Sequence, residues 1–150
     1  MSTTYTVLML NGPNLGRLGM RKPEIYGTTT LADIETAVRE QLGPQGSLIA
    51  VQSNAESVLI DALEAHRECF GAIVNPGALM MAGWSLRDAL EAFERPWVEV
   101  HISNVYARES FRHHSVLSAI ATGQISGLGT EGYTLAASYL RRAWERTANA

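Results

Sequence analysis

The sequence predicts an α/β fold in which a five-stranded parallel sheet is covered by helices on both faces. Short apolar runs rich in strand-forming residues alternate with longer segments in which apolar residues recur at helical spacing. The connections between these elements are short, apart from one glycine-rich segment after the first run. This repeated alternation favours a parallel sheet, because each helix returns the chain to the same end of the sheet.

A buried first strand is predicted over residues 5–10, a short apolar run that ends at Asn-Gly-Pro-Asn. Residues 11–29 are then expected to form a long loop, and compact domains rarely keep so long a loop unless it is functional. Thr30 can cap the first helix, and Gly43 with Pro44 ends it. The apolar residues of this helix recur at helical spacing and are Leu31, Ile34, Val38 and Leu42.

The middle of the chain repeats this strand–helix unit twice. A second strand is predicted over residues 47–52, and Ser53 or Asn54 is expected to cap the helix that follows. The apolar stripe of that helix comprises Val58, Leu59, Ala62, Leu63 and His66. A third, buried strand is predicted over residues 71–75 and a third helix over residues 83–94. The inward residues of the third helix are expected to be Leu86, Ala89, Leu90 and Phe93.

The last third of the chain begins with a fourth strand over residues 97–104, which ends as a loop. A short helix over residues 109–121 and a fifth strand over residues 124–129 are expected to follow. The last helix is predicted over residues 131–147, with an inward face of Leu135, Ala136, Tyr139, Leu140 and Ala143. Five strands joined in this way favour the flavodoxin-like order 2-1-3-4-5. The crevice of that fold lies beyond the carboxyl ends of strands one, three and four.

Length and composition indicate a single globular domain over residues 1–150. The net charge of −3 argues against nucleic acid or an anionic membrane as the main partner. Cys69 is the one cysteine, so an intrachain disulfide is impossible, and we expect its side chain to be buried. The sequence shows neither a signal-peptide pattern nor an apolar run of the roughly 20 residues that a membrane span needs. We therefore expect a cytoplasmic enzyme or binding protein.

Glu99 and His101 lie two residues apart in the fourth strand, so the pleat places both side chains on the same side. A carboxylate can fix the orientation of a neighbouring imidazole and stabilise its protonated form. Imidazole exchanges protons near neutral pH, which makes His101 the best candidate for a general acid. The alternative is that both residues belong to the solvated polar face of an edge strand.

The loop over residues 11–19 carries three glycines and could form a backbone nest for an anion. Its spacing matches neither the dinucleotide fingerprint nor the P-loop, so nucleotide binding has little support. Arg21 and Tyr26 follow in the same loop. A nearby guanidinium stabilises a phenolate, which can act as a base. Alternatively, Arg21 lies on the surface and Tyr26 packs on the domain.

Asn75, Ile102 and Ser103 lie at the ends of neighbouring strands, where their amides and side chains could hold a carboxylate. Arg108 and Arg112 follow in a helix-forming segment, where they are predicted to lie one turn apart on one face. This pair suits an anionic or polyhydroxy ligand, although a solvated basic face is equally common. The spacing of the His, Cys and Asp residues gives no convincing metal site.

Several of these segments, taken in chain order, resemble the type II 3-dehydroquinate dehydratases. The matching motifs cover nearly the whole chain and are Asn11–Gly19, Arg21–Gly27, Asn75–Ala78, Glu99–Asn104, Arg108–Arg112 and Ile120–Tyr133. The resemblance implies anti elimination of water from 3-dehydroquinate to give 3-dehydroshikimate, a step of the shikimate pathway, without a cofactor or a Schiff base. It also implies a flavodoxin-like fold and a homododecamer built as four trimers.

Carried over position by position, the resemblance implies catalytic roles for five residues. Tyr26 would remove the C2 proton as a phenolate that Arg21 keeps ionised. The loop that bears both residues would close as a lid. Asn14 would hold a water molecule that stabilises the enolate. His101, oriented by Glu99, would protonate the departing C1 hydroxyl.

The resemblance also implies a set of residues that bind the substrate. Asn75, Ile102 and Ser103 would hold its carboxylate, and Arg112 would bind a ring hydroxyl. Asp88 would reach the site of a neighbouring subunit, so that assembly becomes part of catalysis. The elimination needs a positioned base, stabilisation of the enolate and an acid for the leaving group, and the sequence offers a candidate for each.

Leu79–Ser85 departs from the family pattern, in which an aromatic residue or leucine is usually followed by Thr-His-Thr-Ser. Met81 stands where a histidine normally bonds a substrate hydroxyl, and a thioether is only a weak acceptor. Ala82 and Gly83 replace small polar residues. The change is either tolerated drift in a genuine dehydratase or the mark of a paralogue that acts on a related cyclic substrate, such as an amino analogue of 3-dehydroquinate. A third alternative is a non-catalytic flavodoxin-like binding module.

Overall fold

The sheet contains five strands, β1 (Tyr5–Asn11), β2 (Gly46–Gln52), β3 (Gly71–Asn75), β4 (Trp97–His101) and β5 (Gly123–Ser126). They are all parallel and lie in the order β2-β1-β3-β4-β5, which confirms the predicted fold class and strand order. The structure is a computed structural model that describes residues 2–20 and 22–150, and of Ile25 and Tyr26 it describes the backbone only. In the described part of the chain, no helix is long and apolar enough to cross a membrane.

The α-helices are α1 (Pro23–Tyr26), α2 (Leu31–Leu42), α3 (Glu56–Ala65), α4 (Trp84–Phe93) and α5 (Glu131–Ala148). Helices α2 and α5 pack on one face of the sheet, and α3 and α4 pack on the other. Successive residues of a strand point to opposite faces. Val7 and Met9 of β1 therefore join the core under α2 and α5, whereas Leu8 and Leu10 join the core under α3 and α4.

Helix α2 begins as its sequence predicts. The Thr30 side chain accepts a hydrogen bond from the Asp33 N–H at 3.1 Å, and the Asp33 carboxylate accepts one from the Thr30 N–H at 3.0 Å. This reciprocal pair satisfies two backbone donors that a helix start would leave without partners. The bond from the Thr30 backbone, followed by the bond with its side chain, lowers the pKa of Asp33.

The predicted cap of α3 is wrong. The N-cap residue is Ala55, and its N–H donates to Ser53 Oγ at 3.0 Å in the turn before the helix. Asn54 has a different partner, because its Oδ1 accepts a hydrogen bond from the Asn14 N–H at 2.9 Å. In the stripe predicted for α3, Leu59, Ala62 and Leu63 are buried but Val58 is 42% exposed, and His66 ends the helix.

The segment after β1 contains more structure than the predicted loop. A short 3₁₀ helix spans Leu15–Arg17, and α1 follows it. Leu15 and Leu18 are buried in the core under α2 and α5, which anchors the first part of the segment. Cys69 is buried as expected, and desolvation raises the pKa of its thiol to about 11.

The helix predicted over residues 109–121 is wrong, because this segment forms two 3₁₀ turns, Ser110–Arg112 and Ser118–Ile120. The residues between the turns bond to distant elements instead of continuing a helix. The Val116 N–H donates to the Met80 carbonyl at 2.7 Å, and the Ser115 hydroxyl donates to Glu99. Tertiary hydrogen bonds thus replace the local ones that a helix would need.

Two predictions near the C-terminus also need correction. Strand β5 ends at Ser126, since Gly127 and Gly129 have φ values of 89° and 64°, outside the range of a strand. The inward face of α5 is rotated from the predicted one, because Leu135 and Tyr139 are 42% and 41% exposed. Its buried side chains larger than alanine are Tyr133, Leu140 and Trp144.

Candidate active site

A cavity of about 240 Å³ opens at the carboxyl ends of β1, β3 and β4, where the predicted crevice lies. Asn11 and Asn75 are paired neighbours at the ends of β1 and β3. The polar side chains that line the cavity are Asn14, Asn75, His101, Ser103, Arg108 and Arg112. Ile102 also contributes to its wall. The predicted residues at the strand ends thus meet in one small, mostly polar cavity.

Glu99 and His101 form a buried pair, of which His101 lines this cavity. Glu99 is fully buried and His101 is 5% exposed, and Nε2 of His101 contacts Oε2 of Glu99 at hydrogen-bond distance. Strand β4 lies between β3 and β5, so the edge-strand alternative is wrong. A carboxylate without access to water stabilises an imidazolium beside it. The pair can therefore act as an oriented proton donor.

The sequence did not predict the partners of the second Glu99 oxygen. Oε1 of Glu99 accepts hydrogen bonds from the Ser115 hydroxyl at 3.1 Å and the Ser118 hydroxyl at 2.8 Å. Both serines lie in the segment that was predicted to be a helix, and that prediction gives no contact between either serine and β4. Ser115 follows two histidines in the sequence, and no pattern there predicts its contact with Glu99.

Asn75 is fixed in the cavity wall by a residue that the sequence placed in the last helix without a role. Nδ2 of Asn75 donates to the Tyr133 hydroxyl at 2.8 Å, and that hydroxyl donates to Oδ1 of Asn11 at 2.7 Å. Oδ1 of Asn75 accepts a hydrogen bond from the Gly77 N–H at 3.1 Å. Burial raises the pKa of Tyr133, so its hydroxyl stays protonated and donates. Nδ2 of Asn75 retains a second proton that a ligand could accept.

Asn14 reaches the cavity from the loop after β1 in a left-handed backbone conformation, with φ of 70°. Asparagine adopts this conformation more readily than most residues. Two side chains at and just beyond the end of β2 support the loop, since Asn54 accepts from the Asn14 N–H and Gln52 Nε2 donates to the Gly12 carbonyl at 3.2 Å. A Cβ at residue 12 would lie 2.4 Å from the Pro76 carbonyl oxygen, so only glycine allows the loop to approach β3 this closely.

The positive charges of the cavity come from Arg108 and Arg112, although not from one helix face as predicted. Arg108 directly follows a 3₁₀ turn at Val105–Ala107, and Arg112 is the last residue of the next turn, Ser110–Arg112. Nη1 of Arg108 donates to the Ser103 hydroxyl at 3.4 Å, and Nε of Arg112 donates to Glu109 at 2.5 Å. The bond from Arg112 holds the pKa of Glu109 below its usual value. No described lining residue is an Asp or Glu, so the cavity suits an anionic ligand.

Met81, which the resemblance places in the binding site, is not among the residues that line this cavity, whereas its neighbour Met80 is. Gly77–Met81 is a 3₁₀ helix, which has three residues per turn. Gly77 and Met80 therefore lie on the same face of this turn, and both line the cavity. The Met80 side chain is 3% exposed and places a thioether in the cavity wall.

Asp88 also lies away from this cavity within one chain. It is exposed on α4 and borders a second cavity of about 530 Å³ between α3 and α4, with Asp61, Glu64 and Arg67. Arg21 and the side chain of Tyr26 lie outside the described residues. Over residues 2–20 and 22–150, no three His, Cys, Asp or Glu side chains form a group that could hold a metal ion.

Comparisons with known proteins agree on one family. Residues 5–141 match the family model described as dehydroquinase class II. A 3-dehydroquinate dehydratase of Herpetosiphon aurantiacus is 58% identical over 132 residues, which cover 87% of this chain and 92% of that protein. One of Janthinobacterium sp. (strain Marseille) is 56% identical over 136 residues, which cover 89% of this chain and 94% of that protein.

The fold agrees with the sequence relationship. The crystal structure of type II dehydroquinase from Propionibacterium acnes matches with a TM-score of 0.86 and 42% sequence identity. The match covers 95% of this chain and 99% of that one. The chain therefore belongs to the class II dehydroquinase family.

Proposed function

We propose that this chain is a 3-dehydroquinate dehydratase that works by the type II mechanism, an anti elimination through an enolate. It is an enzyme with a small-molecule substrate, and its reaction is that of a carbon–oxygen hydro-lyase. The observation that carries the proposal is the buried Glu99–His101 pair in a cavity whose other charged, described side chains are two arginines.

The reaction removes one proton and one hydroxyl from adjacent carbons. Tyr26, ionised beside Arg21, takes the C2 proton and leaves an enolate, which a water held by Asn14 stabilises. His101 then gives its proton to the C1 hydroxyl, and water departs as the double bond forms. Glu99 orients the imidazole and stabilises its charge before the transfer. Base and acid are restored when the proton returns from Tyr26 to His101 through solvent, and no cofactor enters the balance.

The polar residues of the cavity bind the substrate. The substrate carboxylate is held by the second Nδ2 proton of Asn75, the backbone at Ile102 and the Ser103 hydroxyl. Arg112 binds a ring hydroxyl of the substrate. The positions of these groups at the ends of β3 and β4 support this assignment, since they surround one small volume. Arg108, beside Ser103, adds positive charge for the same carboxylate.

The functional unit in this proposal is a cytoplasmic dodecamer of four trimers. Asp88 is exposed on α4 and lies outside the cavity of its own chain, which supports a contact with the site of a neighbouring subunit. Its side chain would complete that site across the interface. Assembly is then a condition for full activity rather than only a source of stability.

A second candidate is the same elimination on a related cyclic substrate, and the Met80 thioether in the cavity wall favours it. A thioether is a poor partner for a substrate hydroxyl. Turnover of an amino analogue together with no turnover of 3-dehydroquinate would support this candidate. Binding of a nucleotide or flavin without turnover of either compound would instead indicate a non-catalytic module.

The decisive experiment adds the purified protein to 3-dehydroquinate and follows the ultraviolet absorbance of the conjugated enone product. We expect turnover by the natural sequence and a loss of about 1,000-fold or more in kcat for Tyr26→Phe, because the base is removed. Tyr106→Phe serves as the control, since that tyrosine is 63% exposed and does not line the cavity. Near-natural activity of Tyr26→Phe would exclude Tyr26 as the base.

A further inference from the structure

The carboxylate of Glu99 is held by more than its histidine. Its Oε1 receives two hydroxyl hydrogen bonds, from Ser115 and Ser118, while its Oε2 faces His101. Glu99 is fully buried, so these three groups replace the water that would otherwise solvate the charge. An ionised carboxylate only accepts hydrogen bonds, whereas a protonated one must also donate. The number of donors around Glu99 therefore decides its charge.

Ser115 can act only as a donor toward Glu99. Its Oγ already accepts hydrogen bonds from the Leu117 N–H at 3.1 Å and the Ser118 N–H at 3.3 Å. These two bonds occupy its lone pairs and direct its proton to Oε1 of Glu99. Ser118 donates to the same carboxylate oxygen, and its Oγ accepts one hydrogen bond, from Gln124 Nε2 at 3.5 Å. Because both lone pairs of Ser115 are occupied, that hydroxyl cannot accept a hydrogen bond from Glu99, which disfavours the protonated carboxyl.

We propose that Ser115 and Ser118 are positioning residues that keep Glu99 ionised and thereby keep the shared proton on His101. The inference rests on the proposed function, in which His101 must carry a proton to the leaving hydroxyl. In a dry site, a carboxylate with few donors would take the proton from its imidazole partner, because a neutral pair costs less than two buried charges. Two hydroxyl donors favour the charged carboxylate and reverse that preference.

Several charged residues on α4 and on the segment after β4 must be unchanged in any test. They are Arg87 and Glu91 on α4, and Arg108, Glu109, Arg112, His113 and His114 on the segment after β4. Arg87 also donates to the Val116 carbonyl at 2.7 Å, next to Ser115. Serine-to-alanine substitutions leave all of these charges in place, so a change in the pH dependence would come from the lost hydroxyls.

The test compares Ser118→Ala and the Ser115→Ala/Ser118→Ala double variant with the natural sequence, with Ser57→Ala on the exposed side of α3 as control. We expect kcat to fall about tenfold and about 100-fold, respectively, with KM within about twofold. The alkaline limb of the kcat profile moves to higher pH by at least about half a unit, because Glu99 is still an anion in the deprotonated pair and loss of its donors makes that form less favourable. Ser118→Thr, which keeps a hydroxyl, restores both quantities.

A merely structural role predicts a different result, namely a lower kcat at every pH with the alkaline limb in its original place, and that result would overturn the proposal. Ser118 is only partly buried, so Ser118→Ala provides the decisive data if the double variant folds poorly. An unchanged kcat and pH profile for Ser118→Ala would also contradict the inference.

A second measurement does not depend on turnover, so it separates this inference from the proposed function. Proton NMR of protein with labelled histidine follows the deshielded N–H between His101 and Glu99 as the pH rises, with His101→Gln for assignment. We expect that resonance to persist to higher pH in Ser118→Ala than in the natural sequence, because the pair keeps its shared proton longer when the carboxylate has lost a donor. Identical titrations would reject the inference, whereas absence of 3-dehydroquinate turnover by the natural sequence would reject only the proposed function.

Discussion

The Tyr133 hydroxyl connects two asparagines at the ends of neighbouring strands, and it is fully buried while doing so. It donates to Asn11 and accepts from Asn75, so both of its bonds serve groups that cannot reach water. A buried polar group that loses its partner costs more free energy than the average hydrogen bond contributes. Tyr133 therefore links the stability of the sheet edge to the orientation of Asn75 in the cavity.

Removal of the Tyr133 hydroxyl tests this link between stability and the orientation of Asn75. Tyr133→Phe leaves Oδ1 of Asn11 and one Nδ2 proton of Asn75 without partners, and we expect the free energy of unfolding to fall by about 2–4 kcal/mol. Denaturant unfolding measures the change, and Tyr139→Phe on the outer side of α5 is the control. We also expect KM for the substrate to rise, since Asn75 loses its fixed orientation. A change within about 0.5 kcal/mol would show that the two asparagines find other partners.

Helix α2 illustrates how local chemistry sets an element boundary. Thr30 and Asp33 satisfy each other's backbone donors, and the core under α2 and α5 buries Ile34, Val38 and Leu42. The cap and the apolar spacing agree, so the helix begins and ends where the sequence predicts. In contrast, the segment 109–121 has helical spacing without a comparable cap, and tertiary bonds determine its backbone.

The capping box can be tested against a threonine in the same helix. Thr30→Ala should lower the free energy of unfolding by about 1 kcal/mol, because the first turn loses its side-chain acceptor. Thr36→Ala removes a hydroxyl that bonds only to the Ala32 carbonyl one turn earlier, and we expect little change or a slight gain. Thermal or urea unfolding of both variants checks the difference. Equal effects would mean that the cap contributes nothing specific.

The lowered pKa of Asp33 gives this cap a pH dependence. A carboxyl whose pKa is depressed by folding contributes stability above its unfolded value, and that contribution is lost as the pH falls through the folded value. The backbone donor of residue 30 is kept in Thr30→Ala, so the test uses Asp33→Ala, and the difference in stability between the natural sequence and that variant should shrink below about pH 4. A difference that stays constant down to the most acidic pH measured would argue against the reciprocal bond.

The position of Asp88 bears on how subunits assemble, because this residue lies outside the cavity of its own chain. It borders the cavity between α3 and α4 rather than the one that holds His101. A residue needed for catalysis but remote from its own site must act on another subunit. Complementation between inactive variants distinguishes this case from an action within one chain.

Co-expression of Asp88→Asn with Tyr26→Phe provides that test. If the two variants assemble at random, about one quarter of the sites contain an intact Tyr26 from one subunit and an intact Asp88 from the next. Activity should therefore reappear in the mixture. Tyr26→Phe co-expressed with His101→Gln is the control, because the proposal assigns both residues to the same subunit's site. A mixture no more active than its parents would place Asp88 outside the neighbouring site.

The sequence by itself determined the sheet order, most of the element positions and the pairing of Glu99 with His101. These depend on strand alternation, helical spacing and caps, which are local properties of the chain. The comparison of Met80 with Met81 shows the limit of such reasoning, because the resemblance placed Met81 in the binding site, whereas Met80 is the methionine that lines the cavity.

Only the tertiary structure decided which hydroxyls complete the site. Ser115 and Ser118 meet Glu99 because the segment between two 3₁₀ turns folds over β4, and Tyr133 meets Asn75 from the start of α5. Their spacing along the chain carries no periodicity that could reveal these contacts. A buried charge or amide must find partners wherever the packed chain offers them, and that choice depends on the positions of distant elements in space.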